Sequence, residues 1–322
     1  MKVLVTGAAG MLGLKFCRKL AETGMIAGEQ VESLTMADVI DPPFIADAPF
    51  KIRSVVSDLS EPKAAEQLIA GRPDVILHSA AIVSGEAETD FDKGYQINLS
   101  GTQYLFDAVR KAAYLPRLIF ASSIAVFGAP FPEVIGEEFF TTPLTSYGVQ
   151  KAIGELLLAD YTRRGFFDGI GIRLPTICIR PGKPNKAASS FFSNILREPL
   201  NGKEAVLPVS DSVRHWFASP RSAVGFFFRA AEIDGSLVGP RRNLSMPGLS
   251  ATVIEMIESL KRCAGADRAR LIRRQPDPVI ARIVEGWPRN LDASRALSLG
   301  FQAETSFDAI IRAYIEDEGL DI

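Results

Sequence analysis

The chain contains few histidines and few cysteines. Its 322 residues include two His, His78 and His215, and three Cys, Cys17, Cys178 and Cys263, which lie far apart in the sequence. Two histidines exclude a metal site with three histidine ligands, and any serine–histidine catalysis would have to use one of them. Three scattered cysteines do not make a disulfide framework, so we expect a reducing, cytoplasmic setting.

The chain also lacks long apolar runs and a strong excess of either charge. No segment approaches the roughly eighteen uninterrupted apolar residues of a membrane span, and the apolar start at residues 3–5 stops in a glycine-rich turn. Lys plus Arg number 36 and Asp plus Glu number 38, which gives a formal net charge of -2. We therefore expect no membrane partner and no nucleic-acid partner, since the latter requires a strongly basic surface.

Short apolar segments alternate with helical ones through the first half of the chain. Hydrophobic residues make up 47% of the sequence, which is enough for a packed core. Strands that alternate with helices of ten or more residues predict parallel βαβ units, and near-continuous apolar strands predict a sheet covered on both faces. The fold class is therefore predicted as α/β, with a Rossmann-type doubly wound parallel sheet. Strands are predicted at residues 2–6, 33–40, 52–58, 74–81, 117–123 and 169–174, and helices at residues 11–24 and 90–113 and from residues 60 and 146 onward.

The composition changes after Pro175. Residues 180–208 hold several Pro, Gly, Lys and Asn residues around one short helical stretch. We predict a first domain at residues 1–175 and a smaller α/β region at residues 176–322, mainly for substrate binding, with some segments returning to the first domain. Residues 183–200 mix turn formers with a short apolar helix, which fits a mobile cover over a substrate site.

A glycine-rich loop follows the first predicted strand and opens the first predicted helix. Three glycines in it stand in the pattern G-x-x-G-x-x-G. The first permits a tight turn, the second lets the backbone approach a pyrophosphate, and the third lets helix and strand pack closely. Unpaired N–H groups at the helix N-terminus favour phosphate, so the pattern predicts a dinucleotide site. The loop residues expected at the cofactor are Gly7, Ala9, Gly10, Met11, Leu12 and Gly13.

An acidic residue lies near the end of the second predicted strand. Asp38 lies 25 residues after Gly13, where a carboxylate can accept hydrogen bonds from both hydroxyls of the adenosine ribose and would repel a 2′-phosphate. No Arg or Lys follows within the next ten residues, so NAD is favoured over NADP. Further cofactor contacts are predicted where the third and fourth strands end. These are Asp58, Leu59, Ser79, Ala80 and Ala81.

A tyrosine and a lysine form Y-x-x-x-K on a predicted helix. Tyr147 and Lys151 are four residues apart and therefore share one helix face. Ser122 and Ser123 end the strand at residues 117–123, at the sheet edge where open α/β folds build their sites. Oxidising an alcohol requires a base for the hydroxyl proton, and a phenol of pKa about 10 is a weak base near neutral pH. A nearby ammonium favours the phenolate, so we expect Lys151 to lower the pKa of Tyr147 and to hold the nicotinamide ribose, while a serine orients the substrate oxygen.

The segments TGAAGMLG, HSAA, SSIAVFG and YGVQK occur in an order and spacing that resembles the extended short-chain dehydrogenase/reductase family. The resemblance covers nearly the whole chain and includes LDASRALSLGF near its C-terminus. It implies that Tyr147 is the catalytic acid/base, Lys151 its partner and Ser123 the third member of the triad. It also implies that Asn98 holds a water relay behind the lysine, and Phe127 stands where the family usually has tyrosine. The remaining predicted cofactor contacts are Asn98, Tyr147, Lys151 and Pro175.

The C-terminal half departs from the nucleotide-sugar enzymes of that family. Those enzymes usually have an Asn-aromatic-Gly-Pro turn where this chain has Pro175-Thr176 and then Arg180-Pro181-Gly182. His215, in VRHWFASPRSAV, stands where the family usually has aspartate. These segments resemble the sugar-acid dehydrogenases of the family. That resemblance implies NAD-dependent oxidation of the C2 hydroxyl of a small sugar acid, D-erythronate, to 2-oxo-tetronate.

A sugar-acid substrate carries a carboxylate that a guanidinium can hold through two hydrogen bonds. Arg180 and Arg214 are both candidates for that contact. His215 is predicted to be structural, since Tyr147 already supplies the base. No metal ligand set is expected. The predicted substrate contacts are Ser84, Ser122, Ser123, Tyr147, Arg180 and Arg214.

Two other functions remain open on the sequence. An NAD-dependent nucleotide-sugar epimerase or dehydratase would return the hydride and keep its NAD bound, whereas a dehydrogenase would release NADH steadily. A cofactor-sensing regulator on the same fold would have lost catalysis, although Ser123, Tyr147 and Lys151 are intact. A homodimer is compatible with the sequence.

Replacing Asp38 with alanine should weaken NAD binding far more than NADP binding. The carboxylate of Asp38 is expected to accept hydrogen bonds from the ribose hydroxyls of NAD and to repel the 2′-phosphate of NADP. Fluorescence titrations with NADH and NADPH measure the two dissociation constants for each protein. An equal loss for both cofactors would contradict the ribose assignment.

Overall fold

The computed structural model describes residues 1–182 and 189–322, and its central element is a parallel sheet of buried apolar strands. Strand β1, Lys2–Thr6, is buried over its last four residues. Strand β6, Val75–His78, is buried throughout, and β7, Arg117–Ser123, is buried over its five middle residues. Strands buried on both faces have no polar side to alternate with, which explains the continuous apolar runs in the sequence.

The other elements follow in chain order within the described residues. The other strands are β2 Met25–Ile26, β3 Glu29–Gln30, β4 Ser33–Asp38, β5 Lys51–Val56, β8 Asp168–Leu174, β9 Thr176–Ile177, β10 Ala205–Leu207, β11 Arg214–Ala218, β12 Asn243–Ser245, β13 Leu249–Thr252 and β14 Ile272–Arg274. The helices are α1 Met11–Thr23, α2 Pro62–Ile69, α3 Ser84–Thr89, α4 Phe91–Gly94, α5 Gly101–Ala112, α6 Ser146–Arg163, α7 Ser190–Leu200, α8 Pro220–Glu232, α9 Gly235–Val238, α10 Val253–Ala264, α11 Ala266–Ala269, α12 Pro278–Glu285, α13 Ser294–Ser298 and α14 Phe307–Asp317. A π-helical segment spans Tyr95–Ser100, and a 3₁₀ turn spans Ile124–Val126.

The main sheet has the strand order β12-β8-β7-β6-β1-β4-β5, and every pairing in it is parallel. The chain builds outward from β1 through β4 to β5, then crosses back and builds outward on the other side through β6, β7 and β8. The strand order therefore reverses between β1 and β6. In doubly wound folds, the crevice beyond the carboxyl ends of the strands at such a point is where ligands bind. The predicted α/β class and doubly wound parallel sheet are confirmed.

Helices cover both faces of this sheet. On one face α1 and α8 pack together, with the ring of Phe16 contacting those of Phe227 and Phe228. On the other face α2, α5 and α6 enclose a cluster in which Phe106 and Phe120 lie edge to face at 6.2 Å. Apolar clusters therefore pack against both faces of the sheet.

The helix predicted at residues 90–113 is continuous but changes its winding. Asp90 caps it by accepting a hydrogen bond from the backbone of Lys93, and α4 then passes into the π-helical segment before α5 begins. A π-helical turn shifts the side chains that follow it around the axis relative to a regular α-helix. Asn98 lies within this segment and is buried. The π-helical winding therefore affects the direction of a side chain that the sequence predicts to lie near the cofactor.

The second region builds its own core and also returns to the main sheet. Strands β13, β11 and β9 form one small sheet, and β10 pairs with β14 in another. Helices α7, α10 and α14 contribute to an apolar cluster that includes Phe192, Phe217 and Ile311. Strand β12 extends the main sheet beside β8, with Leu244 opposite Ile172.

The cover predicted at residues 183–200 is only partly described. Residues 183–188 lie outside the described residues. From Ser190 onward the segment is α7, and its apolar side chains are buried in the core of the second region. Among the helices of the described ranges, none is long and apolar enough to cross a membrane.

Gly13→Ala should destabilise the fold, because a Cβ atom at this position would overlap the carbonyl oxygen of Gly7 where α1 meets β1. Overpacking of this kind costs about 1–3 kcal/mol. Gly71→Ala is the matched control, since a Cβ atom there would meet no atom of residues 1–182 and 189–322 within 4 Å. A surface change of this kind shifts stability by at most about 0.5 kcal/mol. Urea unfolding followed by circular dichroism measures the free energy of unfolding of each variant. Equal free energies of unfolding for Gly13→Ala and Gly71→Ala would refute the packing role of Gly13.

Candidate active site

The glycine loop between β1 and α1 packs against the loop that follows β6. Gly7 has a φ of +76°, and a Cβ atom on it would lie 2.6 Å from the backbone nitrogen of Ala80. Gly13 closes the same turn from the helix side. Gly10 differs from both, because it is exposed and, among the described residues, a Cβ atom on it would meet only the Gly7 carbonyl oxygen, at 3.2 Å. The loop therefore leaves open backbone at Gly10, where a bulky anion can approach.

The first turn of α1 suits that anion. Within the described residues, no side chain caps this helix at Gly10, and its first turn carries no acidic residue. The N–H groups of such a first turn lack helical partners, and the helix dipole adds partial positive charge there. A pyrophosphate is the kind of group that this arrangement binds.

Asp38, the last residue of β4, lies beside the glycine loop. Its Oδ2 accepts a 2.9 Å hydrogen bond from the backbone nitrogen of Ala9, and its Oδ1 is 3.4 Å from the nitrogen of Ile40. A carboxylate has about four acceptor positions, so the half-buried group keeps capacity for two ribose hydroxyls. The glycine loop with the first turn of α1 fits the pyrophosphate of NAD, and the carboxylate of Asp38 fits its adenosine ribose.

The other predicted cofactor contacts also lie at the carboxyl ends of strands. Asp58 follows β5 and accepts a hydrogen bond from the backbone of Ser60, and Leu59 beside it is buried. Ser79 follows β6 and donates a 2.8 Å hydrogen bond to the carbonyl oxygen of Thr6. Their roles at the cofactor stay predictions. Ala80, Ala81 and Pro175 follow β6 and β8 at the same edge of the sheet.

The buried histidine at this edge is structural. His78 ends β6, and its two ring nitrogens are hydrogen-bonded to the hydroxyls of Thr6 and Thr102 at 2.7 and 2.9 Å. Burial, together with the charge of Lys151, lowers the pKa of His78 to about 3. A neutral histidine with both nitrogens engaged has no capacity to activate a serine.

Asn98 ties the loop after β6 to the helix α6. Its Oδ1 accepts a 2.8 Å hydrogen bond from the backbone nitrogen of Ile82, and its Nδ2 donates at 2.8 Å to Oε1 of Gln150. Gln150 precedes Lys151 and is fully buried. Asn98 thus fixes the spacing between the β6 loop and α6, and the water relay implied for it stays a prediction.

The three residues predicted to form the triad lie together where β7 ends and α6 begins. Thr145 caps α6, which projects Tyr147 and Lys151 from its first two turns. The Nζ of Lys151 donates a 2.8 Å hydrogen bond to the carbonyl oxygen of Ala121 and lies 5.7 Å from the centre of the Tyr147 ring. Ser123 hydrogen-bonds the phenol. This arrangement can take a proton from a substrate hydroxyl and hold the charge that results.

The predicted depression of the phenol pKa is wrong in direction. Burial raises the pKa of Tyr147 to about 12, although the charge of Arg180 and the hydrogen bond with Ser123 oppose that rise. Burial also lowers the pKa of Lys151 to about 8, against the opposing charge of Glu155. Both shifts have one cause, since removal from water disfavours the charged form of each group.

The prediction that Ser122 touches substrate is also wrong. Successive side chains of a strand point to opposite faces, so Ser122 points toward Glu155 of α6 and Ser123 points away from it, toward the phenol. Ser122 is buried, and its hydroxyl donates a 2.6 Å hydrogen bond to Glu155. Both oxygens of Glu155 in turn accept hydrogen bonds from Arg173 of β8.

Of the two arginines proposed for a carboxylate, Arg180 is the one whose charge acts on the phenol of Tyr147. Its side chain is held by the Ile177 carbonyl and the Ser189 hydroxyl. Arg214 instead lies exposed at the start of β11, bonded to the carbonyl of Ser250 and 3.5 Å from Glu255. Ser84 begins α3, which packs against α6, and its contact with substrate stays a prediction.

His215 lies on the face of β11 opposite Arg214. Its Nε2 lies 2.6 Å from the hydroxyl oxygen of Thr176, and its ring stacks on Phe192 at 5.3 Å. Burial lowers the pKa of His215 to about 3. A neutral, stacked ring agrees with the structural role predicted from the sequence.

Sequence reasoning missed Glu155, Arg173, Gln150 and Thr176. Glu155 could have been found from its spacing, because it lies four residues after Lys151 on a helix and therefore on the same face. Arg173 gave no such signal, since its partner is distant in sequence. Gln150 and Thr176 adjoin predicted site residues, but their contacts depend on how separate segments pack.

Residues 3–219 match the model of the NAD dependent epimerase/dehydratase family. This chain belongs to that family. NAD is accordingly its cofactor, in agreement with the glycine loop and Asp38.

Curated relatives match over the full length. The chain is 47% identical to a protein of Cupriavidus necator named D-erythronate dehydrogenase, over 99% of both chains. It is 41% identical to a D-erythronate dehydrogenase of Haemophilus influenzae, over 98% of this chain and 99% of that one. A solved structure named as a nucleoside-diphosphate-sugar epimerase from Agrobacterium tumefaciens is 62% identical, with a TM-score of 0.97 over 100% of this chain and 95% of that chain.

Tyr147→Phe should reduce oxidative turnover by about a hundredfold or more, because it removes the proton acceptor but keeps the ring. Wild-type oxidation should rise with pH through the neutral range, as the base form of the phenol becomes more populated. Stopped-flow measurement of NADH formation gives both. Near-normal turnover in Tyr147→Phe would refute the assignment of Tyr147 as the base.

Lys151→Met should lower both turnover and NAD affinity, because one ammonium serves the phenolate and the nicotinamide ribose. Tyr147→Phe is the matched control, since it should leave NADH affinity unchanged in a fluorescence titration. A Lys151→Met protein with normal NADH affinity would contradict the ribose contact.

Proposed function

We propose that this protein is an NAD-dependent dehydrogenase that oxidises the C2 hydroxyl of D-erythronate to 2-oxo-tetronate (2-dehydro-D-erythronate). The observation that carries the proposal is the guanidinium of Arg180, whose charge acts on the phenol of Tyr147. Burial lowers the pKa of Arg180, and among the described residues the ionisable groups that favour its charge are Cys178 and Tyr147, with no carboxylate. A desolvated guanidinium without an acidic partner favours an anionic ligand.

The place of this cation selects a 2-hydroxy acid. In D-erythronate the C2 hydroxyl is on the carbon next to the carboxylate. A carboxylate held by Arg180 therefore brings the C2 hydroxyl, rather than a more distant one, to Tyr147. The names of the relatives in Cupriavidus necator and Haemophilus influenzae support the same substrate, since both match over nearly the whole chain.

The chain's own residues supply the proton chemistry. Bound NAD⁺ provides the hydride acceptor. Tyr147, as phenolate, takes the proton of the C2 hydroxyl while the hydride leaves C2 and the C2–O bond becomes a carbonyl. Ser123 hydrogen-bonds the substrate oxygen, and the ammonium of Lys151 stabilises the phenolate and holds the nicotinamide ribose. The products are the 2-oxo acid, NADH and a proton that passes from Tyr147 to solvent.

The name given to the Agrobacterium tumefaciens structure favours a second candidate, a nucleotide-sugar epimerase. An epimerase uses the same tyrosine and lysine but returns the hydride to the sugar, so it accumulates no NADH. A cofactor-sensing regulator would turn over neither substrate. The release of NADH with D-erythronate, and not with a nucleoside-diphosphate sugar, separates the three functions.

Arg180→Gln should raise the KM for D-erythronate about 10- to 100-fold, since a hydrogen-bonded charged contact contributes about 1.5–3 kcal/mol. Arg273→Gln is the matched control. Arg273 lies in β14, where it is exposed and paired with Glu204, and its loss should leave the KM unchanged. Initial rates of NADH formation at several substrate concentrations measure both.

The uncharged analogue erythritol completes the test. If Arg180 holds the carboxylate, wild type should have a high KM for erythritol and Arg180→Gln should leave that KM unchanged, although its turnover should fall because the charge of Arg180 also acts on Tyr147. An unchanged KM for D-erythronate in Arg180→Gln would contradict the proposed contact between Arg180 and the carboxylate. Absence of NADH formation from D-erythronate by wild type would overturn the proposed function.

A further inference from the structure

The helix α6 carries a second buried charge directly behind the proposed base. Glu155 lies one helical turn after Lys151, and each is 2% exposed. The carboxylate is fully engaged by Ser122 at 2.6 Å and by Arg173, whose Nε and Nη2 donate at 2.7 to 3.1 Å. Both oxygens of the carboxylate therefore accept hydrogen bonds from Arg173, and one accepts a further hydrogen bond from Ser122.

Lys151 has lost its hydration, and its nearest contacts replace only part of it. Its Nζ makes a cation–π contact 4.9 Å from the centre of the Phe120 ring and donates one hydrogen bond to the Ala121 carbonyl. Desolvation still disfavours the ammonium. Burial lowers the pKa of Lys151 to about 8, and the charge of Glu155 is the influence that raises it again.

The other charged or titratable groups around Lys151 do not replace Glu155. From β6 comes His78, which is neutral because burial lowers its pKa to about 3. From β8 comes Arg173, a cation whose hydrogen bonds go to Glu155. From α6 itself comes Tyr147, which is neutral at rest because burial raises its pKa to about 12.

We propose that Glu155, held by Ser122 and Arg173, is a positioning residue that keeps Lys151 protonated and fixes its place beside Tyr147 without touching substrate or cofactor. This inference rests on the proposed roles of Tyr147 and Lys151. Ser122 is then part of the device that sustains the charge of the lysine, which gives a physical reason for a second serine at the end of β7.

The pH dependence of Glu155→Gln distinguishes this role from a structural one. Glutamine keeps the shape and an acceptor for Ser122 but removes the charge. The ratio of wild-type to variant kcat should be near one at about pH 6, where Lys151 is protonated in both proteins. It should grow to about tenfold by about pH 9, because a pKa shift of about one unit changes the ammonium population up to tenfold.

Two further variants distinguish a loss of charge at residue 155 from a general loss of structure. Glu155→Asp keeps the charge, so its profile should keep the wild-type shape even if its level falls. The double variant Glu155→Gln/Arg173→Met leaves no unpaired buried cation and should show the same growing ratio. A loss that is equal at every pH, or no loss, would overturn the proposal.

A binding measurement separates this proposal from the identity of the substrate. The NADH affinity of Glu155→Gln should fall relative to wild type as the pH rises, since the ammonium that donates to the ribose is lost earlier. In a Lys151→Met background the same Glu155→Gln change should have no pH-dependent effect. If wild type fails to oxidise D-erythronate but these affinities behave as stated, the substrate is wrong and the role of Glu155 stands. If the affinities show no such dependence, the role of Glu155 fails whatever the substrate.

Discussion

Lys151 and Glu155 lie one turn apart on α6, both almost wholly removed from water, and the strands beneath them supply the groups that make this burial tolerable. An isolated buried charge costs several kcal/mol. Here the Ala121 carbonyl, the Ser122 hydroxyl and the Arg173 guanidinium meet the two charges. A shift or rotation of α6 along β7 would break these contacts, so the helix has one favourable position. That position places Tyr147 beside Ser123.

Burial has opposite meanings for the two ends of this arrangement. It raises the pKa of Tyr147 and lowers that of Lys151. Both shifts favour the neutral form of the side chain over its charged form, compared with the same side chain in water. The charges of Arg180 and Glu155 act against these two shifts.

The sequence predicted the parts of this site that depend on local pattern. The glycine loop, Asp38 at a strand end and the Y-x-x-x-K pair are read from spacing alone, because a turn, a strand end and a helix face are local features. The same reasoning placed Ser122 at the substrate because it did not apply the alternation of β7 to two adjacent serines. The direction of the Tyr147 pKa shift and the pairing of Arg173 with Glu155 depend on burial. Burial is a property of the assembled sheet and helices, and no short segment contains it.

The second region is joined to the main sheet at more than its first connection. After β9 and β11 have built a separate small sheet, the chain returns through α8, which packs on α1, and through β12, which pairs with β8. A region fastened in this way cannot swing as a whole about a single hinge near Pro175. We infer that access to the crevice depends on individual segments at its rim rather than on a rotation of the whole second region.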